Sequence, residues 1–159
     1  MTQTDQTLDV IHCISETFLE VFETMLSMKA EPASGQDKPP QVDRVTGSVG
    51  FGGEAVTGAA YIHMSVTTAA QAAAAMLGMP AHEVGDTDVN DVVGELCNMV
   101  TGGLKSSLCN AGMPCAMSTP AIIRGKSFDI EPMPNVRREV IHFVCQGERI
   151  VVEIHIKFD

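Results

Sequence analysis

Apolar and polar positions recur in two registers along this chain, one helical and one extended, and the switches between them mark out its elements. Leu8, Ile11, Ser15, Phe18, Phe22 and Met25 recur at steps of three and four, which predicts an amphipathic helix over 7–29. Asp5 or Thr7 is placed to cap it. Residues 30–41, with three prolines among Gly, Ser and Gln, read as a loop. The period then drops to two. Val45, Gly47, Val49 and Phe51 alternate, Gly52-Gly53-Glu54 turns the chain, and Val56 to Val66 returns as a second strand. An Ala-rich run predicts a short helix over 67–78, opened by Thr67 or Thr68 and ended by Gly78. A longer helix is expected from about Asp88 to Cys109, with Asp86 and Asp88 suited to its positive N-terminal end. After it, Thr119 to Ile123 reads as a short strand. Val136 to Cys145 and Glu148 to Phe158 read as a hairpin turning at Gln146-Gly147. In the last strand Ile150, Val152, Ile154, Ile156 and Phe158 share one face. Val151, Glu153, His155 and Lys157 share the other, which is polar enough to face water.

This order of elements predicts an α+β fold, a mostly antiparallel sheet with long helices packed on one side. It reads as one domain over 1–159, with an ordered core over about 8–157 and no internal repeat. Length and composition agree, since 159 residues with 45% hydrophobic and 19% charged positions can bury a real core. With no Trp and ten Met, that core must be aliphatic and Met-rich. The net charge of −10, with only ten Lys plus Arg, speaks against nucleic acid. It suits a partner that is basic around its own site. No apolar run is long enough to span a membrane, and Met1 to Val10 lacks the order of a signal peptide. Five cysteines without paired spacing read as small buried thiols in a reducing, cytoplasmic setting.

Several chemistries are disfavoured by what is missing. Gly50, Gly52, Gly53 and Gly58 are followed by no Lys-Ser/Thr and by a strand, so they are no phosphate loop. No Ser sits in a Gly-x-Ser-x-Gly turn. The five histidines lack metal-site spacing, and His142 and His155 are expected to face each other across the hairpin as a polar pair. Cys109 and Cys115 lie too far apart in sequence for the usual zinc spacing.

What remains is one stripe of the second long helix. At about 100° per residue, Val89, Val92, Leu96, Val100, Leu104 and Ser107 gather in one sector. Asp91, Glu95, Asn98 and Gly102 gather roughly opposite. Glu95 and Asn98, three apart, are neighbours on the helix surface. A carboxylate accepts from a partner's ammonium. An amide donates and accepts at once, which suits it to aim a water but not to act as an efficient base. The pair fits a hydrolysis whose other reactive parts come from elsewhere, and equally a solvated helix face. Gly102-Gly103 costs roughly 1 kcal/mol per Gly relative to Ala and calls for a kink or a close approach.

The pattern Asp91-x3-Glu95-x2-Asn98, followed by Pro120, resembles the signature of the CheC/CheX/FliY phosphatases. Here 21 residues separate Asn98 from Pro120, one fewer than in the family pattern. Gly94 to Gly103, Ser118-Thr119-Pro120, the strand Gly47 to Gly53 and the helix end Met76-Leu77-Gly78 look like the CheX type. Together the matches cover most of 8–157. The first helix offers Ser15 but has Leu19 and Phe22 where a second copy would need Glu and Asn. That points to the single-site CheX type, whose members commonly form homodimers. The resemblance implies a phosphatase that removes the phosphoryl group from the aspartate of a phosphorylated CheY-like response regulator. It implies that Asn98 orients the water and that Glu95 pairs with the receiver's lysine. The Mg2+ would come from the receiver, leaving this chain with no cofactor of its own. Asp91 would assist docking or capping. Gly102, by its place on the stripe, would admit the partner closely. The alternatives are a non-catalytic receiver-binding module of the same fold and, on the Met content alone, a small-molecule sensor.

Overall fold

The computed structural model describes residues 8–35 and 38–159, and the candidate caps Asp5 and Thr7 lie outside them. Three helices, α1 (Val10–Leu26), α2 (Val66–Leu77) and α3 (Asp86–Asn110), pack against one face of an antiparallel sheet. The fold is α+β, as the element order predicts. The strands are β1 (Ala30–Ala33), β2 (Asp43–Gly52), β3 (Val56–Ser65), β4 (Ala116–Met117), β5 (Ala121–Lys126), β6 (Arg137–Cys145) and β7 (Glu148–Phe158). Their spatial order is β1-β6-β7-β3-β2-β4, with β5 also pairing β2. Thus β4 and β5 share one edge of β2, and Ser118-Thr119-Pro120 is the break between them.

Both long hairpins follow the alternation in the sequence. Gln146 and Gly147 both take positive φ, 52° and 77°, the turn that matches the twist of its flanking strands. The helix ends follow local chemistry. The carboxylate of Asp9 caps α1 by accepting from the His12 N–H at 3.1 Å. The Ser65 hydroxyl caps α2 by accepting from the Thr68 N–H at 3.0 Å, so the cap lies before the expected Thr67 or Thr68. Gly78, in the left-handed region, closes that helix. α3 closes with Gly112 at φ 83°, the Met113 N–H on the Leu108 carbonyl and the Gly112 N–H on the Cys109 carbonyl. That is a Schellman closure, with Met113 and Leu108 both buried beneath it.

Three expectations are corrected. The 30–41 segment is not all loop, because Ala30–Ala33 pairs with β6. Pro32 is tolerated there because β1 is an edge strand and needs no donor on its free side. On α1, Ile11 and Met25 are exposed while Val10, Ile14, Phe18, Val21, Phe22 and Leu26 are buried. Apolar residues cover more than one stripe of that helix, and contact with the sheet selects the face. The Phe18 ring stacks between Phe22 and Phe143, with centroids 4.2 and 3.9 Å away.

The third correction is the polar face of β7. Val151, Glu153 and His155 are buried there. The segment between β5 and β6 lies over this side of the sheet. Phe128 stacks on the Arg44 guanidinium at 3.8 Å and accepts a hydrogen bond from it through its carbonyl. Beneath it the polar groups satisfy one another. Glu153 accepts from Arg138 at 2.9 Å and pairs with His63 at 3.1 Å and His155 at 2.6 Å. His63 reaches Thr46 on its other nitrogen at 2.8 Å. His142 does not face His155: Val151 stands opposite His142, and Arg138 opposite His155.

This network makes the fold acid-sensitive. Burial alone would raise the Glu153 carboxyl, but hydrogen bonds from His63, Arg138 and His155 outweigh it and bring it to about 2. Burial lowers His63 below its ordinary 6.5. Between its unfolded and folded pKa each group binds fewer protons in the native state, so stability falls as pH falls. His63 costs stability first, below about 6.5, and Glu153 follows below about 4.5, down towards 2. Urea midpoints are expected to fall from pH 7 to 5 and further to 3. A flat profile over that range would contradict the network.

Candidate functional site on helix α3

Helix α3 lies at the centre of the helical layer, against β2 and β3 and between α1 and α2. Val89, Val92, Val93, Leu96, Cys97, Val100, Leu104 and Leu108 are buried beneath it. The two acidic residues of its first turn favour the positive end of the helix, and Asp88 accepts from the Gly85 N–H at 3.0 Å. Burying this broad apolar face turns the opposite stripe outward. Asp91 and Glu95 are exposed, while Asn98 and Gly102 are half-buried. Among the described residues, the side chains of Asp91, Glu95 and Asn98 have no hydrogen-bond or ion-pair partner. Three polar groups lie in a row on a rigid helix with nothing among the described residues to hold.

Pro120 stands beside this stripe. Gly94 is buried one residue before Glu95, and a Cβ there would lie 3.3 Å from the Pro120 Cβ. The missing side chain lets the strand entry close against the helix, so the signature's distant proline meets its helical part. A shallow depression of about 280 Å³ results, lined by Asn90, Asp91, Gly94, Glu95, Pro120 and Ile122. Its floor is apolar and two carboxylates stand on its rim. Asn98 and Gly102 lie further along the helix and do not line it. A larger cleft, about 510 Å³, involves Pro40, Val42, Ser65 and Arg149 and none of the stripe.

Some residues that shape the site have no sequence signal. Arg124 of β5 donates twice to the side-chain Oδ1 of Asn90, at 2.7 and 3.2 Å, and once to the Asp86 backbone carbonyl at 3.4 Å. This ties the start of α3 to the sheet edge next to Asp91. Only the pairing of β5 with β2 brings the two together. Gly94 was visible as a glycine before Glu95, but its reason is tertiary.

The glycine pair divides its labour. A Cβ on Gly103 would lie 2.3 Å from the Thr17 Oγ1, so α1 and α3 meet there. A Cβ on Gly102 would meet nothing within 4 Å. Gly103→Ala is therefore expected to lose about 1–3 kcal/mol by overpacking. Gly102→Ala should gain up to about 1 kcal/mol of helix propensity. Urea unfolding of the two variants reads this contrast, and equal shifts would contradict it.

No group of three or more His, Cys, Asp or Glu among the described residues is arranged to hold a metal. No helix among them is long and apolar enough to cross a membrane. Of the α1 positions that a second copy would use, Phe22 is fully buried, while Ser15 and Leu19 are half-buried.

The family model for chemotaxis phosphatase CheX matches residues 45–144, a span that holds the whole stripe and Pro120. The chain belongs to the CheX chemotaxis phosphatase family. Solved structures agree. A CheC-like superfamily protein from Shewanella sp. PV-4 is 28% identical, with 99% of each chain covered and a TM-score of 0.80. The chemotaxis protein CheX from Vibrio vulnificus is 26% identical, with 94% of this chain and 97% of that one covered and a TM-score of 0.81. A chain of the CheX-CheY-BeF3-Mg2+ complex from Borrelia burgdorferi is 23% identical and shares the fold, with 94% and 98% covered and a TM-score of 0.73. No curated protein matches the chain. The Asp91, Glu95 and Asn98 pattern lies on α3, and α1 holds no second copy of it.

Proposed function

We propose that this CheX-family chain hydrolyses the phospho-aspartate of a CheY-like response regulator, acting through the outer stripe of α3. The observation that carries this is the unpaired row Asp91, Glu95 and Asn98 on a rigid helix, with Pro120 packed beside it. The carboxylate of Glu95 pairs with the receiver's lysine and sets the helix in register over the active site. Asn98, one turn further on, holds the attacking water by donating through its amide N–H and accepting through its carbonyl. The water's oxygen bonds to phosphorus as the bond to the aspartyl oxygen breaks, releasing inorganic phosphate and a free carboxylate. Such a reaction needs position and charge stabilisation more than covalent help from the protein.

The receiver brings both phosphoryl group and Mg2+, so this chain needs no metal of its own. Asp91 assists docking, and the open surface at Gly102 admits the receiver closely. The net charge of −10 favours approach to a basic surface. The CheX-CheY-BeF3-Mg2+ complex of the Borrelia burgdorferi relative supports the choice of partner. The protein acts as a homodimer in the cytoplasm in this reading.

The test is phosphate release from a phosphorylated CheY-like receiver with Mg2+, with and without the protein. Acceleration that scales with the amount of protein is expected. Binding without acceleration, across a panel of receivers, would instead assign a docking module.

A further inference from the structure

The depression beside α3 holds a donor that the signature does not include. Among the described residues that line it, Asn90 alone has a side chain able to donate a hydrogen bond, since Asp91 and Glu95 carry carboxylates and the rest are Gly94, Pro120 and Ile122. The half-buried Asn90 amide is not free to turn. Nε and Nη2 of Arg124 lie 3.2 and 2.7 Å from one end of it. A guanidinium only donates, so that end must be the carbonyl oxygen Oδ1. A flipped amide would set N–H groups against N–H groups. Arg124 is itself anchored. Its Nη2 also reaches the Asp86 backbone carbonyl at 3.4 Å, and its Nη1 stands 3.9 Å from the Asp86 carboxylate. Its backbone pairs opposite Val45, in the strand that also supplies Ile122. With Oδ1 engaged, the Nδ2 N–H groups of Asn90 have no partner among the described residues. An aimed and unused donor therefore stands in a wall otherwise made of carboxylates and apolar groups.

We propose that Asn90 contacts the docked receiver, donating through Nδ2 to one of its backbone carbonyls, and that Arg124 is the positioning residue that aims the amide. This role rests on the receiver reading given above. A carbonyl is the acceptor that fits, because the Asp91 and Glu95 carboxylates on the same rim repel a carboxylate brought by the partner. Glu95 then takes a cation and Asn90 a neutral oxygen, so the depression reads two different groups on one partner. A receiver that presents an N–H or an apolar group at this place leaves the amide unpaired and binds less tightly. The pair thereby helps to select among receivers of similar charge. Neither residue touches the phosphoryl group in this arrangement, so its effect falls on binding and not on the chemical step.

Two measurements on the full chain test this: affinity for a CheY-like receiver loaded with Mg2+ and beryllofluoride, and phosphate release at saturating phosphorylated receiver. Asn90→Ala is expected to weaken affinity about 5- to 10-fold, the scale of one net hydrogen bond, and to leave the saturated rate within about 2-fold of the parent. Asn90→Asp keeps an acceptor for Arg124 while removing the N–H donors, and should weaken affinity at least as much. Arg124→Ala is expected to weaken affinity less than Asn90→Ala and to add nothing when combined with it, because it acts through that amide. Arg124→Lys retains a donor to Oδ1 without the fork and should fall between Arg124→Ala and the parent. Parent-like affinity in Asn90→Asp would overturn the proposal, as would additive losses in the double variant or a lower saturated rate at unchanged affinity. A parent that binds receivers without hastening release would refute the phosphatase reading, while the affinity series would still decide the role of Asn90. A parent that binds no receiver would overturn both.

Discussion

Asn98→Ala is expected to lower receiver-stimulated phosphate release by roughly 100-fold, since misplacing one reacting group costs about that much. That is about 2.7 kcal/mol of transition-state stabilisation. The amide of Asn98 has no partner within the described chain, so its loss leaves no internal group unsatisfied. Alanine is also the stronger helix former, and the variant's urea midpoint should match or exceed that of the parent. Binding to the receiver should survive, because Glu95 and the depression against Pro120 are untouched. Rate lost with binding retained would place the water on Asn98. Rate and binding lost together would make Asn98 a docking residue, and an undiminished rate would remove it from the mechanism.

Glu153→Ala is expected to lower stability by about 3–5 kcal/mol, the usual result of removing one member of a buried charge cluster. Against a total of about 5–15 kcal/mol for a typical domain, this brings the protein near its limit. The loss leaves His63, whose side chain has no exposure, without its acceptor, and removes one partner each from His155 and Arg138. Arg138, with 27% of its side chain exposed, can turn to water, so His63 carries most of the cost. Chemical unfolding at pH 7 measures it. A loss below about 1 kcal/mol, the scale of a single ordinary hydrogen bond, would mean that the cluster relaxes and water replaces the carboxylate.

Much of the fold was legible because local signals agreed. The hairpin of β2 and β3 shows alternation on both arms and glycines at the turn. The hairpin of β6 and β7 has Gln146-Gly147 where positive φ is needed. Helix α3 was legible because its valines and leucines keep the helical period for six turns while Asp91, Glu95 and Asn98 stay off that face. The errors share one cause. Glu153 and His155 looked solvated because each was judged as a single polar residue, whereas His63, Arg138 and Phe128, from three other parts of the chain, cover and pair them. Pro32 hid β1 because its strand character comes from its partner β6.

The sequence by itself determined the three helices and the two long hairpins, the antiparallel α+β arrangement and the spacing that places Glu95 and Asn98 on one outward stripe. All of these follow from periodicity and turn chemistry within short windows. Only the tertiary structure decided that Pro120 meets Gly94 to shape the depression, that Arg124 fixes the start of α3 through Asn90, and that a polar network lies buried under the far side of the sheet. Pro120 and Gly94 lie 26 positions apart, Arg124 and Asn90 34, and His63 and Glu153 90. Strand pairing brings such residues together, and no local propensity encodes which of them will meet.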